Sequence, residues 1–577
     1  MNEQRNMILA VVLAIIIIFG FDYIFGYFNP PPPPQQQQAQ TTPAGQPAPP
    51  GGVVTAPSVP GAPGAPAPVQ QARKREDILK DVTRVKISSP RLHGSIALKG
   101  ARIDDLTLAD YRETIEPGSP EIALTAPLGS PNPYFAEWGW TAQGVKVPTG
   151  ETVWGATSEV LTPDQPITLV WDNGEGLVFK RTISMDKDYM FTVKQTVENN
   201  GTAAVTLYPY ALISRTGTPD LTGFIILHEG PFGVFDGTLE EVNYEDLRED
   251  GNLKRKSTGG WIGITDKYWM TAVIPDQKAA INADFIHSRD GTVDKYQVDY
   301  VAGGVTIQPG GTGSNQGYLF AGAKEVSLMD HYTETLGIAN FDLAIDFGWL
   351  YFLTKPIFYA LLTINHWIGN FGVAIIVLTL IIKLVMFPLA NKSYRSMGRM
   401  KALQPKMEKL RERFGDDKAR LNQEMMAMYK REKVNPASGC LPLLVQIPVF
   451  FALYKVLFVN IEMRHAPFFG WIQDLSAPDP TSVFNLFGLI PWTPPELLMI
   501  GVWPLIMGIS MWLQQKLNPQ PADPIQAKIM MGLPIIFTFM LGRFPAGLVI
   551  YWAVNNVLSI AQQWVIMRQA EKDKAKG

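Results

Sequence analysis

Lys383 is a single lysine inside a long apolar run, and its charge in such surroundings could serve a chemical role. Lys383 is the only charged residue in the stretch GVAIIVLTLIIKLVMFPLA, and Thr379 lies one helical turn before it, on the same face. A lysine held inside a bundle of apolar helices can attract an anionic guest or keep a cavity hydrated. A lysine about 10 Å from the end of such a helix can also extend its side chain to the membrane surface, so both interpretations stay open.

Polar side chains in other apolar segments could face the same interior. Gln446 lies in a second apolar segment, and Asn555, Ser559 and Gln562 lie in the last one. These three are spaced by four and three residues, so they share one face of a helix. Interhelical hydrogen bonds would explain such groups without any ligand. The only acidic residue in these segments is Glu496, at the edge of one, so the lysine has no evident buried counter-ion.

Several kinds of catalytic and cofactor site are missing from the sequence. It contains no Walker loop and no GxSxG, HExxH or CxxC motif, and its six histidines are scattered. Because Cys440 is the only cysteine, no disulfide can form within the chain. We therefore predict no catalytic constellation, no metal site and no cofactor, and we interpret the chain as a protein that is not an enzyme.

The lysine lies in the first of five C-terminal segments that are long and apolar enough to cross a bilayer. The predicted spans, which together form a core over residues 370–567, are residues 371–390, 440–460, 496–514, 529–543 and 545–566. We expect a helical bundle in which the polar faces of the spans meet.

Two further segments are predicted to meet the membrane. Residues 7–28 form an apolar run, and we interpret residues 1–28 as an uncleaved N-terminal transmembrane anchor; a cleaved signal peptide is the competing interpretation. Residues 346–369 are aromatic and apolar but contain Lys355 and Pro356, which favours a helix lying in the membrane interface. A kinked spanning helix is the alternative for this segment.

The region between the anchor and the core has two different compositions. Residues 29–72 contain 14 prolines, a QQQQ run and no charged residue, which predicts a flexible linker. Residues 73–345 consist of short segments that alternate apolar and polar residues and are separated by Gly, Pro, Asn and Asp. This pattern predicts one antiparallel β-sandwich domain.

The charges of the loops predict the orientation of the chain. Residues 391–435 carry 13 Lys+Arg against 6 Asp+Glu, whereas residues 462–498 carry 1 against 4. Basic loops stay in the cytoplasm, so the first of these loops is predicted to be cytoplasmic. Both termini, including the tail 568–577, are then cytoplasmic, and the β domain lies outside.

The basic loop 391–435 is itself predicted to be a helical hairpin that breaks near Phe414 and Gly415. Apolar residues recur along its first arm at steps of three and four, which places them on one face. These residues are Met397, Met400, Leu403, Met407 and Leu410. A self-packed coiled coil is the plain explanation of this seam, and a surface that receives a substrate is the functional one.

A resemblance to a known family is carried by three stretches of the core. They are LQPKMEKLRERFGDDKARLNQEMMAMYKREKVNPASGCLPLLVQIPVFFALY, DPIQAKIMMGLPIIFTFM and FPAGLVIYWAVNNVLSIAQQ. Over residues 345–568 the chain resembles bacterial members of the YidC/Oxa/Alb insertase family, and its anchor, linker and β domain are similar to the Gram-negative type with a large periplasmic domain. The resemblance implies a polytopic α-helical membrane core, made of the anchor and a five-helix bundle, with a periplasmic mutarotase-like all-β sandwich.

The resemblance also implies a hydrophilic groove inside the bundle, open to the cytoplasm and to lipid. Lys383 falls where these proteins commonly have arginine, Thr379 matches a threonine of the family, and Tyr551-Trp552 falls where a Tyr-Tyr pair is usual. Lysine keeps the positive charge but lacks the planar fork of arginine. The predicted groove residues are Lys383, Thr379, Gln446, Tyr551, Trp552, Asn555, Ser559 and Gln562.

The function implied by the resemblance is the insertion and folding of proteins in a bacterial inner membrane. The implied partners are nascent membrane proteins, the Sec translocon with its accessory subunits, the ribosome, contacted weakly through the hairpin and tail, and membrane lipid. No nucleic-acid binding by the chain itself is expected. The alternatives are a solute transporter or channel that uses the same polar faces of the spans, and a sugar-binding outer domain on a passive anchor. The inverted symmetry typical of transporters is not evident.

Overall fold

The computed structural model describes residues 73–222, 227–414, 417–432, 441–492, 494–495, 498–518 and 524–576. The predicted anchor 1–28 and linker 29–72 lie outside the described residues, as do Cys440 and Glu496. The remaining chain contains a β domain followed by a helical region.

In its described residues the β domain contains twenty strands, arranged in two sheets that pack face to face. In chain order the strands are β1 Arg84–Ser88, β2 Leu92–Ala97, β3 Arg102–Arg112, β4 Glu121–Ala123, β5 Tyr134–Thr141, β6 Gly155–Ala156, β7 Val160–Leu161, β8 Ile167–Asp172, β9 Leu177–Met185, β10 Met190–Asn199, β11 Val205–Thr216, β12 Gly230–Phe235, β13 Thr238–Glu241, β14 Leu253–Thr258, β15 Trp261–Thr265, β16 Trp269–Ile274, β17 Ala280–Asp290, β18 Val293–Ala302, β19 Val305–Ile307 and β20 Thr312–Ala323. Three short helices accompany them: α1 Arg75–Ile78, α2 Tyr244–Asp250 and α3 Val326–Leu336.

The strand order of each sheet shows an antiparallel sandwich. The first sheet runs β14-β17-β18-β11-β5-β3-β2-β1-β7, with β19 on β11 and β4 on β3; the second runs β13-β12-β15-β16-β20-β10-β9-β8-β6. Only β1 and β7 pair in parallel among the strands of the described chain. Along β9 every second side chain, including Phe179 and Ile183, is buried, which is the alternation that predicted a half-buried strand. The predicted all-β sandwich is confirmed.

A buried acidic group on the first sheet gives the β domain a pH dependence. Asp299 on β18 is 1% exposed, accepts a hydrogen bond of 2.7 Å from Gln297 Nε2, and lies opposite Asp284 of β17. Burial raises the pKa of Asp299 to about 7, against the partial opposition of the Gln297 hydrogen bond. Because the pKa is higher in the folded than in the unfolded protein, this carboxyl stabilises the fold at low pH, and the contribution is lost as the pH rises from about 4 to about 7.

We therefore expect Asp299→Asn to raise the melting temperature of the purified protein at about pH 8, because asparagine has no charge to bury there. The difference from the parent should narrow as the pH is lowered toward about 5, where Asp299 is protonated in the folded protein but still largely ionised in the unfolded one. Thermal unfolding at each pH, followed by tryptophan fluorescence, measures the melting temperatures of the variant and the parent. Asp164→Asn, at an exposed carboxyl, is the matched control. A lower melting temperature for Asp299→Asn at pH 8 would contradict the expectation.

The helical region follows the sandwich. Its described helices are α4 Tyr351–Ile368, α5 Phe371–Val385, α6 Phe387–Phe414, α7 Lys418–Arg431, α8 Leu441–Val459, α9 Val502–Leu517, α10 Pro524–Leu541 and α11 Ala546–Lys576. Helix α4 corresponds to the segment predicted to lie in the membrane interface, and α8, α10 and α11 cover most of three predicted spans. By length and composition, none of the described helices could cross a membrane alone, whereas the consecutive pair α5 and α6 could do so together.

The first predicted span, residues 371–390, is not one straight helix. Helix α5 ends at Val385, and α6 begins at Phe387 with a bend of 68° between the two. Pro388 explains the bend, because its ring has no N–H to donate and collides with the carbonyl four residues earlier, and because it disfavours helical backbone at the preceding Phe387. Lys383 therefore lies in the last turn of α5, just before the bend.

The third predicted span, residues 496–514, begins later than expected, at Val502. The buried carboxylate of Asp479 accounts for this start, because its Oδ2 accepts a hydrogen bond of 2.9 Å from the backbone N–H of Trp503, in the first turn of α9. Its Oδ1 accepts another from Thr481 N at 3.0 Å. At Gly501 a Cβ atom would lie 2.4 Å from Asp479 Cγ, so only glycine fits beside this carboxylate.

The hairpin arms α6 and α7 pack through a small apolar cluster. Its buried members are Leu403 of α6 and Met428 and Tyr429 of α7; Met400, Met407, Leu410 and Met425 pack around them. The Tyr429 hydroxyl lies 3.6 Å from Met407 Sδ. Of the five residues of the predicted seam, Met397 is the one outside this cluster. Most of the seam is thus used to hold the two arms together.

Candidate functional site

Lys383 is bonded to the last helix of the chain. Its Nζ donates a hydrogen bond of 2.7 Å to Ser559 Oγ on α11, and the Ser559 hydroxyl donates in turn to the backbone oxygen of Asn555, at 2.7 Å. Thr379, one turn earlier on α5, donates to its own helix, to Ile375 O at 2.6 Å. No carboxylate in the described part of the chain forms an ion pair with Lys383. The lysine is therefore held by a neutral hydroxyl.

A third helix joins this group through a side-chain amide pair. Gln446 Nε2 of α8 donates to Asn555 Oδ1 of α11 at 3.0 Å. Asn555 thus connects the lysine of α5, through Ser559, with the glutamine of α8. The polar faces of the spans therefore meet through hydrogen bonds between helices. Such bonds account for the two amides without any ligand.

The three helices enclose a small cavity. Its lining residues are Thr379, Ile382, Lys383, Met386, Gln446, Val449, Leu453, Tyr551 and Asn555. Its volume is about 10 Å³, roughly the room that one water molecule needs. The polar lining comes from all three helices, and apolar side chains of α5 and α8 complete it. The arrangement can hold a cation next to hydrogen-bonding groups in an otherwise apolar bundle.

The structure brings most, but not all, of the predicted groove residues together. Thr379, Lys383, Gln446, Tyr551 and Asn555 line the cavity, and Ser559 contacts the lysine. Tyr551 is 2% exposed, so its ring is enclosed by the bundle.

Besides Ser559, which bonds to the lysine, two predicted groove residues do not line the cavity. Trp552 stacks instead on Phe450 of α8, with ring centroids 5.5 Å apart, and Phe544 meets it edge-on. Gln562 is half-buried on α11, outside the cavity lining. It lies three residues beyond Ser559, which is about 4.5 Å along the helix.

A second polar seam on α11 was not predicted. Asn556 Nδ2 donates to Ser510 Oγ of α9 at 3.2 Å, and Gln563 Nε2 donates to Leu517 O at 3.4 Å. Asn556 and Gln563 are seven residues apart and so lie on one face, next to the face that carries Asn555 and Ser559. The seven-residue spacing of Asn556 and Gln563 was visible in the sequence. Their partners on α9 could not be recognised from it.

The β domain is tied to the helical region by ion pairs that the sequence did not reveal. Lys455 near the end of α8 pairs with Asp346 at 2.6 Å, and Lys355 of α4 pairs with Asp342 at 2.7 Å and Asp330 at 3.1 Å. Asp346 Oδ2 also accepts the backbone N–H of His228 in the β domain, at 3.3 Å. Helix α8, which carries Gln446, is thus held against the sandwich.

Comparison with known proteins assigns the chain to a family. The family model described as 60Kd inner membrane protein matches residues 363–574, and the one described as YidC periplasmic domain matches residues 84–360. A curated relative, membrane protein insertase YidC of Methylobacterium nodulans, is 52% identical over 582 residues, covering 98% of this chain and 95% of the relative. The chain belongs to the YidC family of membrane protein insertases.

Another curated relative and one solved structure are also similar to this chain. The YidC insertase of Nitrobacter hamburgensis is 56% identical over 506 residues, covering 84% of this chain and 83% of that relative. A crystal structure of an active YidC insertase with its first transmembrane domain resolved aligns with 86% of this chain and 94% of its own, at 17% identity and a TM-score of 0.35. The family resemblance drawn from the sequence is confirmed. Membership makes the chain a protein of the inner membrane with a periplasmic domain, and insertion is a non-enzymatic role.

Proposed function

We propose that this member of the family inserts proteins into the membrane through the site around Lys383. A nascent segment docks beside α5, α8 and α11 and widens the water-sized cavity between them. Its polar tail then lies next to the lysine while its apolar part moves into lipid. The observation that carries this proposal is a lysine held by the hydroxyl of Ser559, in a cavity lined by three apolar helices. An acidic group on the tail would supply the counter-charge for Lys383.

The energetic advantage of such a site is a shorter apolar path. A charged tail that crosses the centre of a bilayer is costly, by about 2.5–3.5 kcal/mol per residue on insertion scales. A polar cavity inside the bundle reduces the thickness of hydrocarbon that the tail must cross. A membrane potential that is positive outside also favours outward movement of an acidic tail, by about 2.3 kcal/mol per charge at 100 mV. No bond is made or broken in this process.

The topology and the partners follow from the same proposal. Five C-terminal spans after an N-terminal anchor, with both termini in the cytoplasm, would place the β domain in the periplasm and the α6–α7 hairpin in the cytoplasm, where it meets the nascent chain. The basic surface of the hairpin supports a weak contact with the ribosome. Action beside the Sec translocon on larger proteins, and alone on small ones, completes the proposal. The β domain would serve as a scaffold for periplasmic partners.

Site-specific photo-crosslinking tests where the nascent segment passes. We expect p-benzoylphenylalanine in place of Trp552 to crosslink to a ribosome-bound nascent single-span protein, because Trp552 follows Tyr551, which lines the cavity, and stacks on Phe450 of α8. Trp564, which is 57% exposed on the same helix, is the matched control position. Crosslinks should be formed mainly from position 552. Equal crosslinking yields from positions 552 and 564 would contradict the proposed path.

A further inference from the structure

A segment between α8 and α9 turns its apolar side chains outward. Residues 483–492, with the sequence VFNLFGLIPW, contain no charged residue. We call this segment the apolar knob. Its most exposed large side chains, with their exposed fractions, are Leu489 83%, Leu486 53%, Phe487 53%, Trp492 48%, Ile490 43% and Phe484 42%. Exposed apolar clusters of this kind mark a surface that contacts something other than water.

The backbone of the knob is hydrogen-bonded within the protein. The amide of Phe487 donates to Ser482 O at 2.8 Å, and that of Ile490 donates to Asn485 O at 3.1 Å. The Trp492 amide donates to Ile490 O at 2.7 Å, and the Asn485 side-chain amide donates to Trp492 O at 3.4 Å. Backbone groups that face hydrocarbon must find partners inside the protein, since lipid offers none. The knob meets much of this requirement with bonds of its own.

Two consecutive residues at the tip of the knob adopt a conformation that is unfavourable for side chains with a Cβ atom. Leu486 has φ 50° and ψ 47°, and Phe487 has φ 59° and ψ 36°, both in the left-handed region. Each such residue costs about 1–2 kcal/mol. Both apolar side chains are nevertheless about half exposed. This cost is offset if the exposed side chains leave water, at about 25 cal/mol per Å² of apolar surface.

The knob lies at the β-domain end of the helical region. Its first residue, Val483, donates its amide to Ile500 O at 3.0 Å, directly before α9 begins. In the same loop Arg464 Nη2 donates to Glu113 O of the β domain, at 3.2 Å. The knob is thus attached at the end of α8 and the beginning of α9, where helices of an inner-membrane protein meet the membrane surface.

We propose that the apolar knob inserts into the lipid leaflet on the β-domain side of the membrane. Lipid fits the knob better than a protein partner does, because protein interfaces have a polar rim and frequent hydrogen bonds. The knob has no charge, and the amide of Asn485 is already bonded internally. Trp492 at its end suits the headgroup depth that tryptophan prefers. This inference rests on membership of an inner-membrane family and is independent of the groove around Lys383.

Fluorescence quenching of a single labelled cysteine tests the inference. Cys440 is the only cysteine, so Cys440→Ser gives a background into which Leu489→Cys is introduced and labelled with bimane in the full-length protein. Val293→Cys, at a 43% exposed residue of the β domain, is the matched control. The probes are phospholipid vesicles with brominated acyl chains and aqueous iodide. Ile490→Cys is a second position in the knob, in case Leu489→Cys does not fold.

The expected result is that bromolipid quenches the label at position 489 several-fold more than the label at 293, and that iodide shows the reverse order. Strong iodide quenching at both 489 and 490, equal to that at 293, would overturn the proposal and place the knob in water. Protection of 489 and 490 from both quenchers would also overturn it, because a protein surface would then cover the knob.

Discussion

Lys383→Ala is expected to reduce the insertion of single-span proteins with acidic tails by about tenfold or more, the loss that corresponds to about 1.4 kcal/mol. The alanine variant removes the only charge of α5, whereas Lys383→Arg keeps a cation that can still reach Ser559. The arginine variant should therefore retain insertion. The measurement is protease protection of the substrate tail after insertion into vesicles that contain the purified variant.

Substitution of a lysine on the neighbouring helix distinguishes a specific effect of Lys383 from a general loss of positive charge. Lys392 of α6 is exposed and lies nine residues beyond Lys383. Lys392→Ala should insert the same substrates as the parent does. A substrate whose tail lacks acidic residues should be less sensitive to Lys383→Ala than an acidic one. If Lys383→Ala inserts acidic tails at the parental rate, the electrostatic part of the proposed function is wrong.

Lys455→Met is expected to lower the stability of the protein by about 3 kcal/mol, because it leaves the carboxylate of Asp346 without its 2.6 Å partner. The two side chains are only 12% and 19% exposed, so water replaces the lysine poorly. A carboxylate that water reaches this poorly tolerates the loss of its cationic partner badly. Thermal unfolding in detergent measures the loss.

A double variant tests whether the charge or the packing matters. Asp346→Asn combined with Lys455→Met leaves no uncompensated charge and should recover most of the loss seen with Lys455→Met alone. Arg73→Met is a matched control, because its partner Asp81 is 47% exposed and such surface pairs contribute little. A double variant no more stable than Lys455→Met would show that packing, not charge compensation, holds α8 against the β domain.

Much of the fold could be predicted because the local patterns agree with the final packing. The alternation along β9 requires one buried face, and the long apolar runs require helices packed together. The bend at Met386 was predictable in principle, because Pro388 was visible, but a continuous apolar run concealed it. The late start of α9 was not predictable, since it depends on Asp479, a residue 23 positions before Val502, whose carboxylate bonds the first turn.

The candidate site could be predicted in part for similar reasons. Polar residues on one helix face are visible in a sequence, so Asn555 and Ser559 were recognised together. The partner of each group is set by the rotation of neighbouring helices, which one sequence does not contain. Trp552 therefore stacks on Phe450 and is not among the residues that line the cavity. Lys455 and Asp346 are 109 residues apart, and no local pattern joins them.

The bend after Lys383 determines how far the hairpin reaches and in which direction. Helix α6 has 28 residues and is thus about 42 Å long, so a bend of 68° carries its far end about 40 Å sideways from the axis of α5. The hairpin is a lateral arm whose base adjoins the lysine and whose tip is remote from it. Under the proposed function, a nascent chain that first meets the tip would have to travel along the whole arm before its charges came within range of Lys383, so first contact and charge recognition would be separate events.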